Sequence, residues 1–169
     1  MEIEKALQAA RDNNQSILVT LKSDGKPQLS NVLHTVDDDG VVRVSITTER
    51  AKYKNLQRTP WAALHVNGPT FWGYAVLEGD VTLSEPAAAP DDATVEELVA
   101  LYRAISGEHP DWDDYRAAQV SQDRVVVRDH PDPGLRRAAR LSQTLRGRAR
   151  STRRRRAVGR RSRARRARA

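Results

Sequence analysis

The sequence predicts a mainly β fold with inserted helices, in which antiparallel strands close wholly or partly into a barrel. Six segments alternate apolar and polar residues or are rich in β-branched residues. Turn signals rich in Gly, Asp, Asn and Pro separate several of these segments, as between hairpin strands. Helical segments interrupt the strands without the regular alternation of a doubly wound sheet. The six predicted strands cover residues 17–22, 28–36, 41–46, 61–66, 71–83 and 124–128.

The first elements are a helix and a hairpin. Residues 2–13 carry apolar side chains at helical spacing, which predicts a short amphipathic helix. The first two strands are joined through Asp24-Gly25, a pair that supplies the positive φ of a tight turn. An acidic turn at 37–40 then leads into the third strand.

The second half of the chain adds the longest strand and two helices. Gly73 and Gly79 mark bends in the strand predicted over 71–83. Residues 91–105 form an amphipathic helix that starts with two aspartates, and residues 111–119 form a shorter one. The acidic pairs at the starts of these helices suit helix capping far better than acid–base chemistry.

A basic hexapeptide, Arg50-Ala51-Lys52-Tyr53-Lys54-Asn55, follows the third strand. We expect Thr48 to cap the helix that begins there and Glu49 to lie in its first turn. Cations at a helix N-terminus do not stabilise the helix, but they suit a bound anion such as phosphate. A solvated basic helix explains the hexapeptide equally well.

Charge is distributed unevenly along the chain. The net charge is +7, yet residues 1–128 hold 13 Lys and Arg against 20 Asp and Glu. Residues 129–169 hold 16 Arg and two Asp. Cysteine is absent, which excludes disulfides and thiolate metal sites. No apolar run reaches membrane-spanning length and the first residues are unlike a signal peptide, so we expect a soluble, cytoplasmic protein with no membrane partner.

The chain therefore divides into a body, residues 1–128, and an Arg-rich tail, residues 129–169. The tail lacks aromatic residues and any apolar periodicity, and we expect it to be disordered. One interpretation is an arm that binds nucleic acid non-specifically through its arginines. Another is that GC-rich DNA read in a shifted frame encodes it, which we favour.

No self-contained catalytic constellation is present. The four histidines lack metal-ligand spacing, so no metal site is expected, and neither a Gly-rich phosphate loop nor a GxSxG motif occurs. If the protein is an enzyme, we expect a cofactor to supply the reactive atoms and no side chain to be catalytic in its own right.

Several segments resemble the flavin- and deazaflavin-binding family related to pyridoxamine 5′-phosphate oxidase. Residues 24–32 are similar to its second-strand motif, and residues 44–56 to its phosphate-binding strand and helix. Residues 71–79 resemble its long central strand. Residues 86–92, 100–103 and 107–116 are similar to the actinobacterial branch that uses the 8-hydroxy-5-deazaflavin coenzyme F420.

The resemblance implies a six-stranded antiparallel split β-barrel that forms a homodimer with two cofactor grooves. Lys52, Arg50 and the Ala51 backbone would hold the phosphate, and two aromatic residues would come across from the second subunit. The implied cofactor-binding residues are Gln28, Ser30, Asn31, Ser45, Ile46, Arg50, Ala51, Lys52, Asn55, Trp72, Gly73 and Tyr74.

The implied function is an F420-dependent oxidoreductase that transfers a hydride to an electron-poor small molecule. An FMN-binding oxidoreductase or cofactor carrier on the same fold, and a nucleic-acid-associated protein acting through the tail, are the alternatives. The chain departs from the family at residues 129–133. Two prolines there are predicted to end the last strand at Arg128, leaving a barrel edge unpaired and both activity and stability in doubt.

Overall fold

The computed structural model describes residues 3–133, and the predicted tail lies outside the described residues from 134 onward. Within these described residues, seven strands form one antiparallel sheet, and four helices accompany it. The elements are α1 (Ile3–Asp12), β1 (Gln15–Leu21), β2 (Pro27–Leu33), β3 (Thr35–Val36), β4 (Val42–Thr47), α2 (Ala51–Arg58), β5 (Trp61–Asn67), β6 (Tyr74–Leu83), α3 (Ala93–Ser106), α4 (Trp112–Ser121) and β7 (Arg124–Pro131).

The sheet curls because one bent segment of the chain, β2 followed by β3, supplies the strands at both of its edges. The strand order is β2-β1-β5-β6-β7-β4-β3, so β2 and β3 lie at opposite edges although only His34 separates them in sequence. His34 is fully buried; its Nδ1 lies 2.9 Å from Ser16 Oγ and its Nε2 lies 3.0 Å from the Ala10 carbonyl oxygen. The strand predicted over 28–36 is therefore β2 and β3 together. Seven strands are present where six were predicted because this strand changes partner at its corner.

The hydrophobic core lies inside the curl and is closed by helix α1. Period-two alternation puts one face of each strand inward, so apolar side chains from β1, β4, β5, β6 and β7 meet. Ala6, Leu7 and Ala10 of α1 and Leu56 of α2 complete the cluster. The largest fully buried apolar side chains include Leu18, Leu56, Leu64, Leu77 and Leu98.

Helices α3 and α4 pack against the outside of β7 over a second, smaller core. Asp92 begins α3 as its N-cap and accepts a 2.7 Å hydrogen bond from the Val95 N–H, which confirms the capping role predicted for this acidic start. Glu97 of α3 ion-pairs with Arg43 of β4 and Arg128 of β7. These ion pairs fix α3, and with it the helical pair α3 and α4, to strands β4 and β7.

The structure corrects two strand boundaries. β6 begins at Tyr74 and not at residue 71, because the Gly68 N–H donates 2.7 Å to the Gly73 carbonyl and closes a hairpin loop there. β7 continues through Pro131, so the prediction that this strand stops at Arg128 was wrong. The ladder with β4 ends at Asp129. Beyond it, β6 is the only strand among the described residues that pairs with β7, and a residue without an N–H is tolerated there.

Gly79 shows how tightly β6 approaches this end of β7. A Cβ atom at Gly79 would lie 2.1 Å from the His130 carbonyl oxygen, so a larger residue would force the backbone apart. The bend predicted at Gly79 is a point of close backbone contact between β6 and β7.

Candidate functional site

A cleft of about 540 Å³ opens where the end of β4 meets α2, the end of β2, the helical pair and the start of β7. β-strand alternation brings side chains of β4 to one wall, and the turn after β4 aims the first residues of α2 at the same space. The lining residues are Asn31, Val32, Leu33, Ser45, Ile46, Thr47, Arg50, Lys52, Leu101, Tyr102, Ile105, Ser106, Tyr115, Gln119, Gln122 and Arg124.

The cleft is strongly electropositive at one end. Arg50, Lys52 and Arg124 line it, and no described residue of the lining carries a carboxylate. Arg50 has only a weak exposed contact with Glu49, at 3.6 Å. Arg50 and Lys52 repel one another, and a bound anion would relieve that repulsion.

Helix α2 presents its N-terminus to this end of the cleft. Arg50 and not Thr48 is the N-cap, with extended φ and ψ of −72° and 143°, and no side chain caps the helix. The difference from the prediction arises because the turn Thr47–Arg50 separates β4 from the helix; the Arg50 N–H donates to the Thr47 carbonyl. No acidic residue occupies the first turn, so the helix dipole there is uncompensated within the described chain.

Lys52 is half-buried at this helix terminus. Desolvation lowers the pKa of its ammonium group, and the nearby Arg50 charge lowers it further. Both effects oppose a charged Lys52 in the ligand-free site. An anion placed beside it would favour the charged ammonium group through direct attraction and so oppose both effects, as expected of an anion-binding lysine.

Sequence reasoning missed Arg124. The pairing of β4 with β7 places Arg124 opposite Thr47. Its guanidinium donates a hydrogen bond of 3.0 Å to Ser45 Oγ and another of 2.9 Å to Gln122 Oε1. The only local signal was one arginine at the start of a β-branched strand. Its arrival in the cleft depends on β7 pairing with β4, a contact between residues that are far apart in the chain.

Five of the predicted cofactor-binding residues meet in the cleft: Asn31, Ser45, Ile46, Arg50 and Lys52. Their meeting follows from β2 and β4 ending at the same side of the curled sheet. Thr47 joins them from β4, and its buried Oγ1 has no hydrogen-bond partner among the described residues.

Four other predicted residues lie beside the cleft without lining it. Ala51 is exposed in the first turn of α2. Asn55 is buried and its Nδ2 donates to Thr20 Oγ1 at 3.0 Å and to Gln28 Oε1 at 3.2 Å. The Gln28 amide in turn donates 2.9 Å to Ser30 Oγ. These three polar residues fix α2 to β1 and β2.

Trp72, Gly73 and Tyr74 lie elsewhere, at the hairpin between β5 and β6. Trp72 is 72% exposed and its neighbour Phe71 is 86% exposed. Tyr74 stacks on His65 with ring centroids 5.3 Å apart. Within one chain these aromatic residues do not reach the cleft, and their predicted role over a second subunit's cofactor stays a prediction.

The lining offers binding and orientation more than proton transfer. No described lining residue is a histidine or a carboxylate, and residues 3–133 contain no cluster of side chains suited to a metal ion. In the same part of the chain no helix is both long and apolar enough to cross a membrane. The cleft can hold an anion at one end and an uncharged group at the other.

Comparison with known proteins gives one family match and many similar folds. Residues 3–134 match the family model described as pyridoxamine 5′-phosphate oxidase. A solved F420 reductase is 26% identical over 74% of this chain and 91% of its own, with a TM-score of 0.55.

Two further structures share the fold at lower identity. A pyridoxamine 5′-phosphate oxidase-related, FMN-binding protein from Nostoc punctiforme is 18% identical, covers 76% of this chain and 78% of its own, and has a TM-score of 0.52. The heme storage protein HutZ from Vibrio cholerae is 16% identical over 78% of this chain and 92% of its own, with a TM-score of 0.56.

Proposed function

The chain belongs to the pyridoxamine 5′-phosphate oxidase family, and from that premise we propose that it is an F420-dependent oxidoreductase that reduces an electron-poor small molecule. One observation carries the proposal: the cationic end of the cleft has Arg50, Lys52 and Arg124 but no described carboxylate. The 26% identical F420 reductase supports the choice of cofactor.

The residues present fit a phosphate-bearing cofactor. The uncapped N-terminus of α2, the half-buried Lys52 ammonium and the unpartnered Thr47 hydroxyl all lie at one end of the cleft. Backbone N–H groups at a helix start, together with a lysine, are a common phosphate-binding arrangement. Lys52, Arg50 and the Ala51 backbone would hold the phosphate.

When bound, reduced deazaflavin supplies a hydride. The chain's own residues bind the cofactor, orient the substrate and exclude water. Leu33 is an exposed apolar side chain in the cleft lining, and Val32 and Ile46 line the cleft from strands whose apolar side chains pack into the core. Ser45 Oγ accepts a hydrogen bond from Arg124, so the Ser45 hydroxyl proton is free. It can donate to a substrate oxygen that gains negative charge in the transition state. No side chain is required to act as a base.

A second copy of the chain would complete each site. Leu29 and Leu33 of β2 are 60% and 48% exposed, and the exposed Phe71 and Trp72 lie at the hairpin between β5 and β6 of the same sheet. An apolar patch of this kind suits a protein interface. We propose a homodimeric split β-barrel in which Trp72, Gly73 and Tyr74 cover the partner's cofactor.

FMN is the alternative cofactor, because a phosphate site alone does not distinguish it from F420. Haem is disfavoured: His34, His65 and His109 do not line the cleft, and no other histidine among the described residues does. The likeness to the heme storage protein is at 16% identity and concerns the fold alone.

The test is a fluorescence titration of the full chain with F420 and, separately, with FMN. We expect F420 to bind more tightly, and Lys52→Ala to weaken F420 binding at least tenfold because charge-assisted hydrogen bonds contribute about 1.5–3 kcal/mol. Lys54→Ala is the matched control, since Lys54 is exposed on the same helix and does not line the cleft. Equal weakening by both variants would mean that net charge alone, and not this site, attracts the cofactor.

A further inference from the structure

The wall of the cleft that the helical pair forms has no charged side chain of its own among the described residues, and Arg124 borders it through a 2.9 Å hydrogen bond to Gln122 Oε1. The wall consists of Leu101, Tyr102 and Ile105 from α3, Tyr115 and Gln119 from α4, and Gln122 at the C-cap of α4, here called the helical wall. Because this wall offers apolar and aromatic surface with two amides, a ligand group that rests on it gains by being flat and neutral.

The two tyrosines of the helical wall are held rigidly. Their ring centroids are 4.9 Å apart, and Trp112 packs edge-on behind both rings. The Tyr115 hydroxyl donates a 3.0 Å hydrogen bond to the Leu98 carbonyl, so its proton is already engaged. Burial raises the pKa of Tyr115, which keeps the phenol neutral. A ring placed here meets aromatic surface that is already packed in place, with the His109 ring also 5.2 Å from Tyr102 and 5.3 Å from Tyr115 between centroids.

Gln119 supplies the polar contact of the helical wall. It is only 5% exposed, yet it lines the cleft. Its Nε2 donates 2.9 Å to the Tyr115 carbonyl, which fixes the amide orientation because the opposite rotamer would bring two oxygens together. Gln119 Oε1 accepts no hydrogen bond within residues 3–133. It is a fixed acceptor in a largely apolar wall.

We infer that the helical wall is a substrate subsite for a flat, uncharged aromatic molecule that donates one hydrogen bond to Gln119 Oε1. The inference rests on the proposed function, since it assigns the cationic end to the cofactor and this wall to the substrate. The site should discriminate strongly in favour of a substrate that carries this hydrogen-bond donor. A substrate without a donor would cover Gln119 Oε1 and leave it unpaired.

The test uses three probes that differ in a single group: 1-naphthol, 1-methoxynaphthalene and 1-naphthoate. Equilibrium dialysis against the full chain measures each dissociation constant with and without saturating F420. We expect 1-naphthol to bind about fivefold more tightly than its methyl ether, as one hydrogen bond of about 1 kcal/mol requires. With F420 bound, we expect 1-naphthoate to bind more weakly than either neutral probe.

The variant that isolates the contact is Gln119→Met, which keeps the side-chain length and removes the acceptor. It should bring the preference for 1-naphthol over the ether close to one while the F420 dissociation constant stays unchanged. The matched control is Gln57→Met: Gln57 also bonds to a tyrosine four residues before it, but it lies outside the cleft. Circular dichroism of both variants checks that the helices remain folded.

Two results would overturn the inference: a naphthol preference that survives in Gln119→Met, or displacement of 1-naphthol by F420, which would mean that the cofactor itself occupies this wall. Failure of F420 to bind the wild-type chain would instead defeat the proposed function. The dialysis without F420 tests the helical wall in that case, so the two failures are distinguishable.

Discussion

Asp129 is poorly matched to its place in the barrel. It lies on the same face of β7 as Val125 and Val127, is 1% exposed, and neither carboxyl oxygen has a hydrogen-bond partner among the described residues. Burial, with a smaller contribution from Asp80 on β6, raises the pKa of Asp129 to about 8. A carboxyl group that avoids ionisation at neutral pH weakens the fold it is buried in.

This position predicts a pH-dependent stability. Below its ordinary pKa of 3.8 the carboxyl is protonated in both the folded and the unfolded chain, so ionisation costs nothing. As the pH rises from 3.8 to about 8, only the unfolded chain gives up the proton. The Asp129 contribution should then lower the free energy of unfolding by up to about 1.4 kcal/mol per pH unit, and it should level off above that range.

Urea denaturation of wild type and Asp129→Asn at several pH values measures this dependence. The variant should lack the Asp129 contribution, so the difference in stability between the two proteins should widen as the pH rises. Asp38→Asn is the control, because Asp38 lies exposed in a turn and shows no comparable burial. Parallel pH profiles for wild type and Asp129→Asn would contradict the assignment.

At the scale of elements, helix α2 is held to the sheet by the buried side chain of Asn55. By our proposal, its first turn binds the cofactor phosphate. Asn55 connects the helix to Thr20 of β1 and Gln28 of β2, and Arg58 donates 3.1 Å to Asn55 Oδ1 and 2.7 Å to the Leu21 carbonyl. One face of the same short helix therefore serves stability while its N-terminus faces the cleft.

These two roles should separate by mutation. Asn55→Ala leaves buried polar partners unpaired and should lower the free energy of unfolding by about 1–3 kcal/mol. Lys52→Ala removes a half-buried cation from a helix N-terminus and should leave stability unchanged or slightly raised. Thermal denaturation and F420 titration of both variants should therefore rank them in opposite orders. The same order in both measurements would contradict the separation of the two roles.

At the scale of the whole molecule, the exposed side chains of β2 predict self-association. Leu29→Lys should convert the dimer to a monomer, because burying an unpaired ammonium in an apolar interface is costly. Light scattering coupled to size-exclusion chromatography measures the mass directly. Ala117→Lys, on the exposed side of α4, adds the same charge without touching β2 and should leave the dimer intact. A monomeric wild type would refute the dimer.

Local chemistry made much of this fold predictable. Gly25 has the positive φ of 79° that its Asp-Gly turn implied, and Asp92 caps α3 as its position indicated. Both depend on neighbours within a few residues. The corner at His34 and the arrival of Arg124 and Gln119 in the cleft depend on strand register and helix docking. Hydrophobic periodicity carries no information about either, so those contacts appear only in three dimensions.

The position of β7 sets the order in which the protein can assemble. β7 lies between β6 and β4, yet it is the last strand within residues 3–133. Before it is synthesised, β6 and β4 each present an open edge, and the cleft lacks both Arg124 and the support beneath the helical pair. Every pairing of β7 with β4 joins residues about eighty positions apart in the chain. A nascent chain is therefore vulnerable to edge-to-edge aggregation until β7 leaves the ribosome.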